Sequence, residues 1–168
     1  MVKNEYMETY LIMKKYLLYT LAIVLTISIG CSENHTSEIQ ENPIFPKGTK
    51  IDNDNFSGIA WVTMLAESDS LNPMYAGNVK FEPGTRTNWH SHPAGQLLIV
   101  ISGEGYYQEK GQPKRTLQKG DAVKCPPDTP HWHGATPTIA FTHIAISSSQ
   151  NGPTVWMEKV TDKTYREN

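Results

Sequence analysis

The residues best suited to chemistry in this sequence are its histidines. Five of the six histidines fall between residues 90 and 143. Four of these form two pairs, His90 with His92 and His131 with His133, and each pair is separated by a single residue. Because alternate side chains of a β-strand point to the same face, both members of a pair face the same way. Two such pairs meeting inside a small barrel would supply imidazole ligands for a metal ion and leave a titratable group beside it.

The elements that would position these histidines are β-strands. Short runs of apolar and β-branched residues alternate with turns rich in glycine and proline, which number 12 and 11. Roughly eight to ten short strands at this spacing favour an all-β sandwich or barrel, with no helix longer than two turns. The run 96–101 lacks polar alternation, which predicts a strand covered on both faces and ending at 102–105. The main predicted strands cover residues 58–65, 77–81, 85–92, 96–101, 115–117, 122–125, 138–147 and 155–160.

Composition narrows the class of protein. The chain has 168 residues, with 15 Lys and Arg against 17 Asp and Glu and a formal net charge of -2. This length suits one domain. The near-neutral balance excludes a protein that binds nucleic acid through its phosphates. The two cysteines, Cys31 and Cys125, are too few for a disulfide framework or a thiolate zinc site.

The N-terminal segment, residues 1–31, predicts export. Met13-Lys14-Lys15 precedes an apolar run that ends at Gly30-Cys31, a pattern typical of a secretory signal and too short for a comfortable membrane span. Residues 28–31 resemble a bacterial lipoprotein cleavage box. Cys31 would then carry the lipid and anchor an envelope lipoprotein, periplasmic or membrane-anchored, in a bacterium. An uncleaved anchor or a plain exported protein remain alternatives. We expect a leader over 1–30, with Met13 as the hypothesised true start, then a polar tether over 31–43 and one folded domain over 44–168.

Two stretches around the histidines resemble the motifs of a known family. Residues 84–103 read GTRTNWHSHPAGQLLIVISG and resemble the first cupin motif, and residues 120–131 read GDAVKCPPDTPH and resemble the second. The resemblance implies a single-domain jelly-roll β-barrel with one divalent metal ion. Its ligands would be His90, His92, Gln96 and His131. Gln96 stands where most cupins have Glu, and Asp128 replaces a usual glycine of the second motif.

A closer resemblance extends over residues 86–96, 125–135 and 142–146, which are similar to the bacterial cupin-type (R)-hydroxynitrile lyases, also called mandelonitrile lyase-like. That subgroup implies manganese at a site of three histidines and one glutamine, although iron, zinc, nickel or cobalt also suit such ligands. His133 and His143 would be the catalytic histidines. Substrate-pocket positions would be Gly77, Val79 and Ser147. Such cupins commonly assemble, which implies a homo-oligomer, either a dimer or a tetramer.

The predicted activity is that of a metal-dependent carbon–carbon lyase, which cleaves a cyanohydrin such as mandelonitrile to an aldehyde and cyanide. Three imidazoles and an amide leave the ion its full charge, which favours polarisation and proton transfer over oxygen activation. His133 or His143 would take the hydroxyl proton as a general base. A cupin dioxygenase or other oxidative metalloenzyme, and a non-catalytic metal-containing binding protein of the envelope, remain alternatives.

Several of these residues also have purely structural interpretations. Gln96 could bond a neighbour and leave a three-histidine site, while His133 could bond a backbone carbonyl and His143 fill the core. The sequence favours a structural role for Arg86 and a buried, inert Cys125. Two tryptophans, at positions 89 and 132, alternate with the ligands and should therefore pack outside the barrel core.

Overall fold

The computed structural model describes residues 43–167. The predicted leader, the lipidated Cys31 and nearly all of the predicted tether lie outside the described residues, so they stay predictions. Within 43–167, no helix combines the length and the apolar character needed to cross a membrane.

Strands supply nearly all of the regular secondary structure in the described residues, which confirms the predicted all-β fold. The elements are β1 (Thr49–Lys50), β2 (Phe56–Ser57), β3 (Ala60–Ala66), β4 (Met74–Phe81), β5 (Arg86–Thr87), β6 (His90–Ser91), β7 (Gln96–Glu109), β8 (Arg115–Gln118), β9 (Ala122–Cys125), β10 (His131–Ala135), β11 (Phe141–Ser148), β12 (Val155–Trp156) and the helix α1 (Asp162–Arg166). The main sheet path runs in the order β1-β3-β4-β11-β7-β10-β5-β2, and every strand pair is antiparallel. This is the jelly-roll barrel that the motifs imply.

The longest strand corrects the prediction of a break at residues 102–105. β7 continues through them for 14 residues, pairing first with β9 and β11 and then with β8 and β10. Gly103 makes this possible, because its φ of 73° bends the strand and a Cβ there would collide with the carbonyl of Ala140. One strand thus belongs to both halves of the barrel.

The first half of β7 also corrects the expectation of two covered faces. Gln96, Leu98 and Val100 are buried, whereas the residues between them are only half-buried. Leu98 and Val100 belong to the core, whereas Leu97 and Ile99 are apolar but lie on the outer face of the sheet. An apolar run therefore did not require burial on both sides. The buried core cluster consists of Ala60, Phe81, Leu98, Val100, Tyr107, Leu117, Val123, Cys125, Ala135 and Phe141.

The C-terminal part is less regular than predicted. Only Val155–Trp156 forms strand β12, which pairs with β6. The chain beyond it exchanges backbone hydrogen bonds with Trp89 and then enters α1, where the Thr161 side chain caps the first turn. Trp89 and Trp132 pack here, in a cluster separate from the barrel core that includes Val160 and Tyr165. The expectation that both tryptophans lie outside the core is confirmed.

Candidate metal centre

Three buried histidines come together at the point where β6 meets β10. His90 lies on β6 and is the register partner of His131 on β10, while His92 follows two residues after His90. One ring nitrogen from each histidine lies within 4.8 Å of those of the other two, so these three residues could hold a metal ion. The i, i+2 spacing places His90 and His92 together, and the antiparallel register adds His131.

Hydrogen bonds orient two of these rings toward a common point. The Nδ1 of His90 lies 3.0 Å from the Asn88 carbonyl oxygen, and the Nδ1 of His131 lies 2.9 Å from the Thr129 carbonyl oxygen. A carbonyl only accepts, so both Nδ1 atoms carry the proton and donate it. Each Nε2 then keeps its lone pair free for a metal ion.

The third ring presents an unpartnered nitrogen. The Nε2 of His92 is buried and has no hydrogen-bond partner among the described residues. Its Nδ1 lies 3.2 Å from the Thr154 hydroxyl and 3.5 Å from the Ser147 hydroxyl. A buried nitrogen without a partner costs free energy unless something binds it, and a divalent cation would do so. The residues present therefore fit a metal ion.

Gln96 points at the same place. Its Oε1 lies 3.1 Å from the Nε2 of His131. With the amide oxygen in this place, two acceptors face each other and a shared cation would stabilise them, whereas a rotated amide would donate its N–H to the same nitrogen. The contact therefore fits a fourth metal ligand and also fits the alternative in which Gln96 bonds a neighbour, so its role as a ligand stays a prediction. None of the four predicted ligands, His90, His92, His131 and Gln96, is a carboxylate.

Burial keeps the ligand histidines in the form that binds metals. It lowers the pKa of His90 well below the usual 6.5, and the neighbouring His131 lowers it further. Burial also lowers the pKa of His92 to about 4, and the pKa of His131 is lowered for the same reason. At neutral pH the rings are uncharged, so metal binding displaces no proton from them.

A second pair of histidines lies deeper in the barrel. The Nε2 of His143 on β11 is 3.2 Å from the Nδ1 of His133 on β10. Phe81 and Phe141 pack against the pair, and the His133 ring centre is 5.2 Å from that of His90. Burial lowers the pKa of His143 to about 3 and that of His133 well below its usual value. The alternative in which His133 bonds a backbone carbonyl is not what the structure shows, because its Nδ1 meets the second imidazole.

The three predicted pocket residues lie on the two strands beside this pair. Val79 is the register partner of His143, and Gly77 is the partner of Ala145. A Cβ at Gly77 would make ordinary contact with Val62. Ser147 is buried and its hydroxyl reaches toward His92, as described above. Their role in binding a substrate stays a prediction, as does the predicted oligomer.

Arg86 and Cys125 have the structural roles that the sequence predicts. Arg86 is buried and donates hydrogen bonds to the Val160 carbonyl oxygen and to Asp162, so it holds the C-terminal part of the chain. Cys125 is also buried, and burial raises the pKa of its thiol to about 11, which keeps it protonated and unreactive. Its sulfur lies 3.0 Å from the Nδ1 of His131 and packs behind that ring.

Sequence reasoning missed Thr154 and Trp156 at this site. The Trp156 ring lies 4.7 Å from that of His90, at an interplanar angle of 33°. Neither residue belongs to a motif, and both lie more than 60 positions from the ligands they contact. Only the pairing of β12 with β6 brings them there.

Comparisons with known proteins agree with this geometry. The cupin domain family model matches residues 77–143. An (R)-mandelonitrile lyase from Granulicella tundricola is 44% identical over 114 residues, which cover 67% of this chain and 87% of the relative. The crystal structure of a cupin-like protein from Thermotoga maritima matches with a TM-score of 0.72 and 47% identity, covering 74% of this chain and 96% of that one.

A more distant structure shares the fold alone. It is a conserved protein with a double-stranded β-helix domain from Klebsiella pneumoniae, with a TM-score of 0.53 and 24% identity over 71% of this chain and 100% of that one. The barrel, the three-histidine cluster and the close relatives lead to one conclusion. This chain belongs to the cupin superfamily.

Proposed function

We propose that this protein is a metal-dependent hydroxynitrile lyase, which cleaves a cyanohydrin of the mandelonitrile type into an aldehyde and hydrogen cyanide. The observation that carries the proposal is the neutral, buried His133–His143 pair beside the three-histidine cluster. A relative that is 44% identical to this chain, named an (R)-mandelonitrile lyase, supports the same reaction. The reaction needs a base near a site that stabilises negative charge, and these two histidine groups would provide both.

The pair suits general base catalysis. We infer that the Nδ1–H of His133 donates to the Nε2 of His143, so that the Nε2 of His133 keeps a lone pair that can accept the substrate hydroxyl proton. The proton of His143 then lies on its Nδ1, which is buried and has no partner among the described residues. The second imidazole then shares the positive charge that develops on His133. Burial favours the uncharged pair before the reaction, so the base is ready at neutral pH. We therefore assign His133 as the base and His143 as its support.

His90, His92, His131 and Gln96 would hold the metal ion. When bound, the ion would supply Lewis-acid stabilisation of the negative charge that develops on the substrate. All four ligands are neutral, so none of its charge is cancelled by the protein. Such a centre favours polarisation of a substrate over oxygen chemistry, which benefits from an anionic donor.

The step balances without an oxidant or reductant. The hydroxyl proton moves to His133, the carbon–oxygen double bond forms, and the carbon–carbon bond breaks with its electron pair leaving on cyanide. The proton on His133 then passes to cyanide, which departs as hydrogen cyanide. Reversal of the same steps would make a cyanohydrin.

The test is to assay the purified protein with mandelonitrile, with and without bound manganese, while benzaldehyde release is followed by absorbance. We expect release only from the metal-loaded protein. His133→Ala should keep its metal and lose activity by about 100-fold or more, the usual contribution of general base catalysis. His143→Ala removes only the support of the base, so it should keep its metal and lose less activity. Release no faster than from metal-free protein would refute the lyase proposal, and oxygen consumption by an iron-loaded sample would indicate the oxidative alternative instead.

A further inference from the structure

Thr154 makes an unusual contact with the metal centre. It lies in the C-terminal segment, defined here as residues 154–166, and its hydroxyl oxygen is 3.2 Å from the Nδ1 of His92, 62 positions earlier in the chain. The residue is half-buried and belongs to neither cupin motif. The contact therefore links the end of the domain to one of the candidate ligands.

The three ligand histidines differ in what orients them. His90 and His131 each donate to the backbone carbonyl of the residue two positions earlier. A backbone acceptor is present whichever side chain stands at that position. His92 relies on hydroxyl groups instead. The Thr154 hydroxyl is the nearer, since the Ser147 oxygen lies at 3.5 Å, the limit of a hydrogen bond.

This contact suits the tautomer of His92 that binds metal. A hydroxyl can donate or accept, so the Thr154 oxygen fits an Nδ1 with or without a proton. An ion on Nε2, the buried nitrogen with no partner of its own, requires that the proton lie on Nδ1, and the Thr154 hydroxyl then accepts a hydrogen bond from Nδ1–H. We propose that Thr154 is a positioning residue, which sets metal affinity by holding the His92 ring in its metal-binding orientation and by accepting this hydrogen bond.

The C-terminal segment is held firmly enough for this role. Arg86 donates to the Val160 carbonyl oxygen at 3.1 Å and to the Asp162 carboxylate at 2.7 Å. The Tyr165 hydroxyl donates to the Ala135 carbonyl oxygen at 2.8 Å, at the end of ligand-bearing strand β10. Near Thr154 itself, the backbone N–H of Met157 donates to the Trp89 carbonyl oxygen. Metal binding and docking of this segment should therefore stabilise each other, because a coupling between two sites is reciprocal.

The experiment measures metal affinity rather than catalysis. Manganese and zinc are titrated into the full-length protein against a competing chelator dye, for wild type and three variants. Thr154→Val removes the hydroxyl at nearly constant volume, Thr154→Ser restores it, and Val155→Ala is a matched change at an adjacent, exposed position. We expect Thr154→Val to bind about 10- to 100-fold more weakly, the usual effect of losing such a partner, and the other two variants to stay within about twofold of wild type.

A second readout follows the C-terminal segment itself. In wild type, metal should slow hydrogen exchange of the Met157 amide, and Thr154→Val should abolish this protection. Equal affinities for Thr154→Val and Val155→Ala, or equal losses in Thr154→Val and Thr154→Ser, would overturn the inference. Should Thr154→Val fail to fold, unchanged exchange at Met157 on metal addition to wild type would overturn it as well.

This inference rests on the metal site of the proposed function and not on the lyase reaction. A wild-type protein that binds neither ion would refute both. Normal metal binding without mandelonitrile cleavage would refute only the lyase proposal, and the ratio of variant to wild-type affinity would still decide the role of Thr154.

Discussion

Exchanging Gln96 for glutamate tests whether the metal site works through a neutral set of ligands. The substitution keeps the shape of the side chain and adds one negative charge at an oxygen that lies 3.1 Å from the Nε2 of His131. Gln96→Glu should therefore bind a divalent ion more tightly. It should also make that ion a weaker Lewis acid, because the net charge at the centre falls by one unit.

The magnitude follows from what an opposite charge beside a carboxylate contributes. Such a neighbour lowers a carboxyl pKa by about 1–3 units, which corresponds to an attraction of about 1.4–4 kcal/mol. Gln96 is buried, so a carboxylate there would take up protons in the metal-free protein, and their displacement by the ion reduces this gain. A net gain of about 1–3 kcal/mol remains, which corresponds to roughly 5- to 150-fold tighter metal binding.

The assay combines chelator competition with mandelonitrile cleavage by the metal-loaded protein. We expect Gln96→Glu to hold manganese more tightly and to cleave mandelonitrile about tenfold more slowly or worse, since stabilisation of the developing charge weakens. Gln112→Glu is the matched control, because it adds the same charge at an exposed position. If Gln96→Glu and Gln112→Glu show the same metal affinity, Gln96 is not a ligand and the argument from a neutral ligand set fails.

Two predictions concern stability. In metal-free protein the five buried histidines resist protonation while the unfolded chain takes up protons below pH 6.5, the usual pKa. The contribution of these histidines to the free energy of unfolding should thus be constant above about pH 6.5 and fall below it by up to about 1.4 kcal/mol per pH unit for each histidine. An unfolding midpoint in urea that is unchanged between about pH 7.5 and 5.5 would contradict this. Asp128 has a φ of 54° and donates its N–H to the His92 carbonyl oxygen. Because left-handed backbone costs about 1–2 kcal/mol for most residues, Asp128→Ala should be less stable than Asp128→Gly, and equal urea midpoints would refute the turn argument.

The backbone conformation at Asp128 can be compared with the second cupin motif. A usual glycine of the second motif falls at this position, and the backbone here does adopt the left-handed conformation that glycine favours. Aspartate tolerates that conformation better than most residues. The backbone geometry at this position therefore fits the family pattern, although the residue type departs from it and weakened the prediction of a turn.

Strand boundaries were predicted less well than strand identity. The glycines near the middle of β7 are typical of a turn, yet the strand bends there and continues into the second half of the barrel. The predicted strand at 155–160 is mostly irregular, because only Val155 and Trp156 pair with β6 and the next two residues exchange backbone hydrogen bonds with Trp89 alone. Both errors arise because local residue type cannot report which distant segment supplies the hydrogen-bond partner.

The amino-acid sequence alone determined the β class, the residue types at the site and the shared face of His90 and His92, because alternation and side-chain chemistry are local properties. Only the tertiary structure decided which ring nitrogens of His90 and His131 face backbone carbonyls, that His133 and His143 meet each other, and that Thr154 reaches His92. These features depend on the register between strands and on the path of the C-terminal segment. Contacts between residues dozens of positions apart fix that register, and no local pattern encodes them.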